Sequence, residues 1–136
     1  MTIEPTADQV RALRDGPADG AIVMTNLLKF KAAADYPDDH DGPRGDTGEA
    51  AYDHYQHAFT TTLFEVTQAQ ILFAGPVGLT FIGVAGAPET DWDRVLIVRY
   101  PSKGHFLGMM ANADYQRALV HRRAGLARTV LLQSPA

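Results

Sequence analysis

The chain has 136 residues, of which 46% are hydrophobic and 21% charged, and this composition is typical of one globular domain rather than a disordered or membrane-embedded chain. Sixteen acidic against twelve basic residues give a net charge of −4, which disfavours nucleic acid as a partner. The absence of cysteine excludes a disulfide framework and thiolate catalysis. We therefore expect a single cytoplasmic domain over residues 1–136, with no signal peptide and no membrane partner.

The first part of the chain predicts a short helix, a strand and a long loop. Thr6 and Gln9 have the spacing of a capping box, so we expect a helix over residues 6–15. Residues 21–30 alternate with the period of two that is typical of a strand. Residues 31–48 contain five aspartates together with prolines and glycines, and we expect them to form a flexible, acidic, exposed loop.

The remaining elements follow from changes in periodicity. Apolar residues three and four apart predict an amphipathic helix that begins at Glu49. Two β-prone runs at residues 71–74 and 79–84 predict a hairpin or a bent strand, and residues 94–100 form the clearest strand. A further helix in two pieces and a last strand over residues 126–133 complete the pattern. The expected buried stripe of the first long helix is Tyr52, Tyr55, Phe59, Leu63 and Val66.

The order of these elements predicts a ferredoxin-like α+β fold, βαββαβ, in which two helices cover one face of an antiparallel sheet. The other face of such a sheet ordinarily meets water and carries polar residues. Here the segments 71–73, 95–98 and 130–132 are apolar at every position. Because the chain has no spare element to cover this face, we expect a second copy to cover it, which predicts a homodimer.

Four segments form a distinctive set of motifs: VMTNLLKFK at residues 23–31, WDRVLIVRYPS at residues 92–102, ADYQ at residues 113–116 and HRRAGL at residues 121–126. Together with the tyrosine-rich helix, they resemble the DUF1330 family. The resemblance implies a dimeric α+β barrel, in which two ferredoxin-like subunits pair sheet to sheet. The wider group includes cofactor-independent monooxygenases, small isomerases and haem-binding enzymes, but the family itself supplies no catalytic residues to transfer.

Four residues are candidates for binding a small-molecule ligand. Asn26 lies in the first strand among apolar neighbours, where its amide needs partners, and Tyr55 lies on the buried stripe. We expect these two side chains to approach one another, with Arg99 and His121 supplying charge at the mouth of the pocket. The alternative for Asn26 is an amide satisfied by the neighbouring backbone, and the alternative for Tyr55 is ordinary core packing. A strand-edge position for Arg99 and a helix C-terminal position for His121 are the alternatives for the charged pair.

We expect no metal and no cofactor. His54 and His57 lie three apart on one helix without a clear third ligand, and residues 39–42 lack the first and last ligands of a calcium loop. The sequence has no phosphate loop, nucleophile elbow or dinucleotide fingerprint. A haem bound through His105 or His121 is the least favoured alternative.

Two classes of function stay open at this point. The residues present fit the binding of a small, largely apolar molecule, or its conversion by isomerase-like or cofactor-free oxygenase-like chemistry. The alternative is a noncatalytic homodimer that binds a ligand or only assembles. An enclosed pocket with a perturbed histidine or tyrosine favours the first class, and a solid core favours the second.

Overall fold

A computed structural model describes residues 2–136 and contains one four-stranded sheet. The strands are ordered β2-β3-β1-β4 and every neighbouring pair is antiparallel, which confirms the predicted ferredoxin-like α+β fold. The elements in chain order are α1 (Ala7–Asp15), β1 (Ile22–Phe30), α2 (Gly48–Ala58), a π-helical stretch (Phe59–Leu63), α3 (Phe64–Thr67), β2 (Gln70–Pro76), β3 (Arg94–Tyr100), α4 (Lys103–Met110), α5 (Ala113–Gly125) and β4 (Leu126–Pro135).

The two faces of the sheet have different surroundings. Ile22, Met24 and Leu28 of β1 are buried in the core together with Leu96 and Val98 of β3. Because successive side chains of a strand point to opposite faces, the residues between them lie on the face away from the core. We call this second face the open face. Its apolar side chains are Val23, Leu27, Phe73, Val95, Ile97, Val130 and Leu132.

The first long helix is interrupted by a π-helical stretch, and this changes which residue is buried at its end. A π-helical turn contains about one residue more than an α-helical turn, so it shifts the buried stripe along the sequence. Thr67 is fully buried and donates its hydroxyl hydrogen bond to the carbonyl of Leu63 at 2.7 Å. Val66, which we expected on the stripe, is 47% exposed.

The second β-prone run, residues 79–84, forms no strand, in contrast to the hairpin or bent strand that its composition predicted. β2 contains an irregularity between Ile71 and Phe73 and ends at Pro76. Apolar, β-branched residues favour a strand only where the backbone finds a neighbouring strand to pair with. Within residues 2–136, residues 79–84 have no such neighbour.

The acidic segment before α2 has no helix or strand, but it is attached to the body of the protein. One backbone hydrogen bond joins the two ends of the segment, from Ala34 N–H to the Asp46 carbonyl at 3.0 Å. Another joins it to α5, from Asp35 N–H to the Ala124 carbonyl at 2.9 Å. Tyr36 is buried in a small cluster with Ala51 and Ala124. These contacts favour a docked loop over the free one that the composition indicated, and its mobility stays a prediction.

The start of α2 and the end of α5 touch backbone to backbone. Gly48 N–H donates to the Lys31 carbonyl at 3.0 Å, and Lys31 N–H donates to the Gly125 carbonyl at 2.8 Å. A Cβ atom on Gly48 would overlap the Lys31 carbonyl and lie 2.6 Å from the Gly125 carbonyl oxygen. One on Gly125 would overlap the Gly48 carbonyl. Glycine at both positions therefore allows the end of β1 and the two helices to meet.

We predict that Gly125→Ala lowers the free energy of unfolding by about 1–3 kcal/mol, because the added methyl group meets backbone atoms rather than flexible side chains. Gly108→Ala in α4 is the matched control, since a Cβ there meets nothing within 4 Å. A helical glycine in open space gains roughly 0.5–1 kcal/mol on change to alanine. Urea unfolding measures both variants, and equal stability of the two would contradict the close crossing.

Candidate functional site

A cleft of about 60 Å³ lies between the core side of the sheet and the helices above it. One water molecule needs roughly 10–15 Å³ on this kind of measure, so the cleft has room for a small chemical group. Phe59, Phe106, Met109 and Leu131 contribute apolar walls. The polar lining consists of Asn26, Tyr52, Tyr55, Gln56, Tyr100, Tyr115 and Arg122.

Two tyrosine hydroxyls of this lining open into the cleft. Every fully buried side-chain nitrogen or oxygen among residues 2–136 has a hydrogen-bond partner. The hydroxyls of Tyr52 and Tyr100 form no hydrogen bond within that part of the chain, although both rings are almost completely buried. The two oxygens are therefore not sealed in the core but face the space of the cleft, where a ligand or water can pair with them.

Burial keeps these phenols protonated. It raises the pKa of Tyr52 to about 12. Burial, with a further contribution from the nearby Tyr115, also raises the pKa of Tyr55 and of Tyr100. At neutral pH all three side chains are consequently neutral hydrogen-bond donors, and they are poor proton acceptors.

Hydrogen bonds hold the two amide side chains of the lining. Asn26 donates through Nδ2 to the carbonyl of Leu96, its direct partner on β3, at 3.0 Å. Gln56 accepts through Oε1 from Arg94 at 3.1 Å, and the same guanidinium nitrogen donates to Asp53 at 2.8 Å. These bonds fix both amides before any ligand arrives, which lowers the entropy cost of binding.

Arg122 is the charged member of the lining. It follows Tyr115 by two turns of α5, and its Nη1 donates to the carbonyl of Ile3 at 2.6 Å. Its positive charge opposes the effect of burial on the pKa of Tyr52 and of Tyr55, which places it within electrostatic reach of both phenols. Among the residues 2–136 that line the cleft, none is Asp, Glu or His. The cleft therefore favours a negatively charged or electron-rich oxygen.

The four residues expected to bind a ligand occupy three places. Asn26 and Tyr55 both line the cleft. Arg99 is exposed on the open face of β3, where it pairs with Val23 of β1 across the sheet, so it does not reach the cleft. His121 belongs to a separate cluster between α2, α5 and the acidic segment.

Sequence reasoning missed Arg122 and Tyr100 as members of the cleft. The available signals were the spacing of Arg122 from Tyr115 and Leu119 on one helical face, and the alternation of Tyr100 with Val98 on β3.

The cluster around His121 ties the acidic segment to α5. Tyr36 Oη lies 2.6 Å from His121 Nδ1 and also accepts from Gly45 N–H at 3.1 Å. A neutral imidazole whose Nδ1 is unprotonated can accept the phenol proton while the phenol oxygen accepts from Gly45. The ring of His54 stacks on His121 at 5.0 Å and that of His40 meets it edge-on at 5.6 Å. Burial, together with these two histidines, lowers the pKa of His121.

The lowered pKa predicts that His121 makes the protein less stable in mild acid. Below its ordinary pKa of 6.5 the unfolded chain binds the proton that the folded chain resists, so the free energy of unfolding falls as pH decreases from 6.5 toward the folded pKa. We expect His121→Asn, whose amide oxygen can still accept from Tyr36, to reduce this slope between about pH 7 and pH 5.

The control for this measurement is His57→Asn, because His57 is exposed on α2. Urea unfolding at several pH values should give the control the slope of the unchanged protein. The assignment is wrong if His121→Asn also keeps that slope.

Apart from the cleft and the cluster around His121, the described chain offers few groups suited to binding or catalysis. Within residues 2–136 no group of three or more His, Asp or Glu residues is arranged to hold a metal ion. No helix in the same range is long and apolar enough to cross a membrane. A shallow cavity of about 350 Å³ lies between α1 and the end of β4, and its described lining includes a single ionisable side chain, Asp19.

Comparisons with known proteins support the fold without assigning an activity. No family model matches the chain, and a search of curated proteins finds no match. The chain is similar to two crystal structures of the RPA0582 protein of Rhodopseudomonas palustris, a protein of unknown function. One is 29% identical with a TM-score of 0.83, covering 98% of this chain and 95% of that one. The other, of the methylated protein, is 28% identical with a TM-score of 0.84, covering 99% and 94%.

A more distant similarity is to a dimeric protein of unknown function and ferredoxin-like fold from Bacteroides fragilis. It is 10% identical, covers 88% of this chain and 100% of that chain, and has a TM-score of 0.52. At this identity the likeness concerns the fold alone.

Proposed function

We propose that this chain is a DUF1330-like protein that binds a small, largely apolar molecule through a carboxylate or carbonyl oxygen in the tyrosine-lined cleft. The observation that carries the proposal is the pair of Tyr52 and Tyr100 hydroxyls, which lack protein partners and face the cleft although their rings are buried. Because both oxygens are accessible from the cleft, water or a ligand can supply the partner that the protein does not. Arg122 adds a positive charge to the same wall.

The size of the cleft indicates which part of the ligand it encloses. A cavity of about 150 Å³ holds benzene, which has six carbon atoms, so about 60 Å³ accommodates two or three non-hydrogen atoms. A carboxylate has three. The apolar remainder would extend through the open side of the cleft, along Phe59, Phe106 and Met109.

Catalysis in this cleft would depend on stabilising negative charge rather than on removing a proton. The phenols hold their protons firmly, and within residues 2–136 the lining offers no carboxylate or imidazole as a base. Tyrosine and arginine donors are suited to an enolate or phenolate oxygen. An isomerase-like or cofactor-free oxygenase-like reaction would accordingly need a substrate acidic enough to ionise once it is bound.

Ligand binding can be tested with short-chain carboxylates from acetate to hexanoate and with the alcohols of the same length. We expect the carboxylates to bind more tightly, and Tyr52→Phe and Tyr100→Phe to weaken binding by about tenfold or more, since a hydrogen bond to a charged group is worth roughly 1.5–3 kcal/mol. Isothermal titration calorimetry measures the affinities.

The charge at the cleft has a matched control on the same helix. Arg122→Gln should reduce the preference for carboxylates over alcohols. Arg123→Gln should leave it unchanged, because Arg123 pairs with Glu4 at the exposed surface. If no member of either series binds the unchanged protein, or if both arginine variants behave alike, the proposed site is not the binding site.

We also propose that the protein is a homodimer that pairs through the open face. Phe73 and Leu132 on that face are exposed in the single chain, and so is Leu72, which neighbours Phe73 in β2. A contiguous apolar surface of this kind is typical of an interface between subunits. An assembling dimer without ligand binding is the second candidate function, and this surface is the observation that favours it.

The open face can be tested with a charged substitution at its centre. Ile97→Arg and Val130→Arg place a cation among apolar partners, so either variant should run as a monomer in size-exclusion chromatography with light scattering. Val66→Arg is the control, because Val66 is an exposed aliphatic residue of the helical layer. It should keep the mass of two chains. A monomer mass for the unchanged protein at micromolar concentration would contradict the dimer.

A further inference from the structure

The connection between β2 and β3 carries an unusual density of exposed apolar side chains. Leu79, Phe81, Ile82 and Val84 are 81%, 89%, 88% and 69% exposed. Isolated exposed apolar residues are ordinary on protein surfaces, but four within six positions form a patch. We call residues 77–87 the arm.

The arm is uncharged as well as apolar. Residues 77–88 contain no Asp, Glu, Lys or Arg, so nothing along this segment favours water strongly. Its β-prone residues make no strand, because the rest of the described chain offers them no neighbour. Such a segment is typical of one that pairs or packs with another chain.

The base of the arm, residues 88–93, is firmly attached to the sheet. Lys29 bonds to Asp91 at 3.0 Å and to Asp93 at 3.3 Å. Arg128 donates to the carbonyls of Pro88 at 2.9 Å and Asp91 at 2.7 Å. These contacts fix the point at which the arm leaves the sheet.

The contacts of Lys29 and Arg128 with the base also indicate on which side of the sheet the arm begins. Lys29 of β1 and Arg128 of β4 are direct partners across the two strands, and both belong to the open face by alternation with the buried Leu28. The guanidinium group of Arg128 lies 4.6 Å from the centre of the Trp92 ring, which closes the base over that end of the face. The uncovered arm therefore begins on the same side of the sheet as the uncovered face, at the end marked by Lys29 and Arg128.

We infer that the arm packs against a second copy of this chain, where it extends the contact between the two open faces. The inference rests on the proposed homodimer. In a twofold pair each copy offers one arm and receives one, so both apolar surfaces are covered at once. The centre of the receiving face is apolar as well, at Val95, Ile97 and Leu132.

The area involved is large enough to affect affinity. Four side chains of this size expose on the order of 400 Å² of apolar surface, and a standard interface buries about 800 Å² per partner. Each arm would thus provide about half of a standard contact in addition to the sheet. An arm that contributes this much should be required for a stable dimer.

The first test weakens the arm alone. The double variant Phe81→Ser with Ile82→Ser should raise the dimer dissociation constant at least tenfold in analytical ultracentrifugation, with an unchanged circular dichroism spectrum. Val66→Ser is the control and should leave the constant unchanged. A double variant that dimerises as tightly as the unchanged protein overturns the inference, even where Ile97→Arg still gives a monomer.

The second test locates the arm directly. Because the chain has no cysteine, Ile82→Cys provides a single attachment point for a benzophenone maleimide cross-linker. Mixed ¹⁴N and ¹⁵N protein should give cross-linked peptides that join the arm of one copy to the other copy. Cross-links only within one chain overturn the inference. A fluorophore attached at position 82 can also be tested for protection from a water-soluble quencher. If phosphatidylcholine vesicles protect it and dimerisation does not, the inference is overturned and the arm is assigned to a lipid surface.

The two tests also separate this inference from the proposed homodimer and the proposed binding site. A monomer mass for the unchanged protein removes the dimer and the arm contact together. A dimer whose arm neither cross-links to its partner nor affects affinity removes the arm contact alone. Carboxylate binding in the cleft is measured independently, because the arm contributes no residue to the cleft lining.

Discussion

The close crossing of α2 and α5 is the constraint on which the helical layer depends. At Gly48 and Gly125 the two backbones and the end of β1 meet with no space for a side chain. Farther along the same pair of helices, Tyr55 and Tyr115 stand between them with ring centres 6.1 Å apart. Because the helices touch at one end and carry large aromatic rings toward the other, the layer closes at the glycines and leaves a cleft among the tyrosines.

The chemistry of the cleft follows from the way in which aromatic rings fill it. A phenol brings an apolar ring that packs in the core and a hydroxyl that still needs a partner. Tyr52 and Tyr100 therefore belong to the hydrophobic core and to the cleft at the same time. Their raised pKa values make them donors, and the charge of Arg122 has the sign that complements an oxygen anion. His121, whose pKa is lowered by burial, lies in a different part of the fold.

The same strands that form the floor of the cleft carry a second apolar surface on their reverse side. Alternation along β3 directs Leu96 and Val98 into the core and Val95 and Ile97 to the open face. Burial on both faces explains why this strand is apolar at consecutive positions. The arm begins beside that face, so the two exposed apolar regions of the chain lie on the same side of the sheet.

The sequence by itself determined the ferredoxin-like fold and the places of most helices and strands, because these depend on local periodicity and on few possible topologies. Only the tertiary structure decided that Arg122 joins the cleft while Arg99 lies on the opposite face, since this depends on which elements pack together. It likewise decided that the π-helical stretch exposes Val66 and that Tyr36 docks the acidic segment. Periodicity describes one element at a time, whereas these features arise from contacts between residues far apart in the chain.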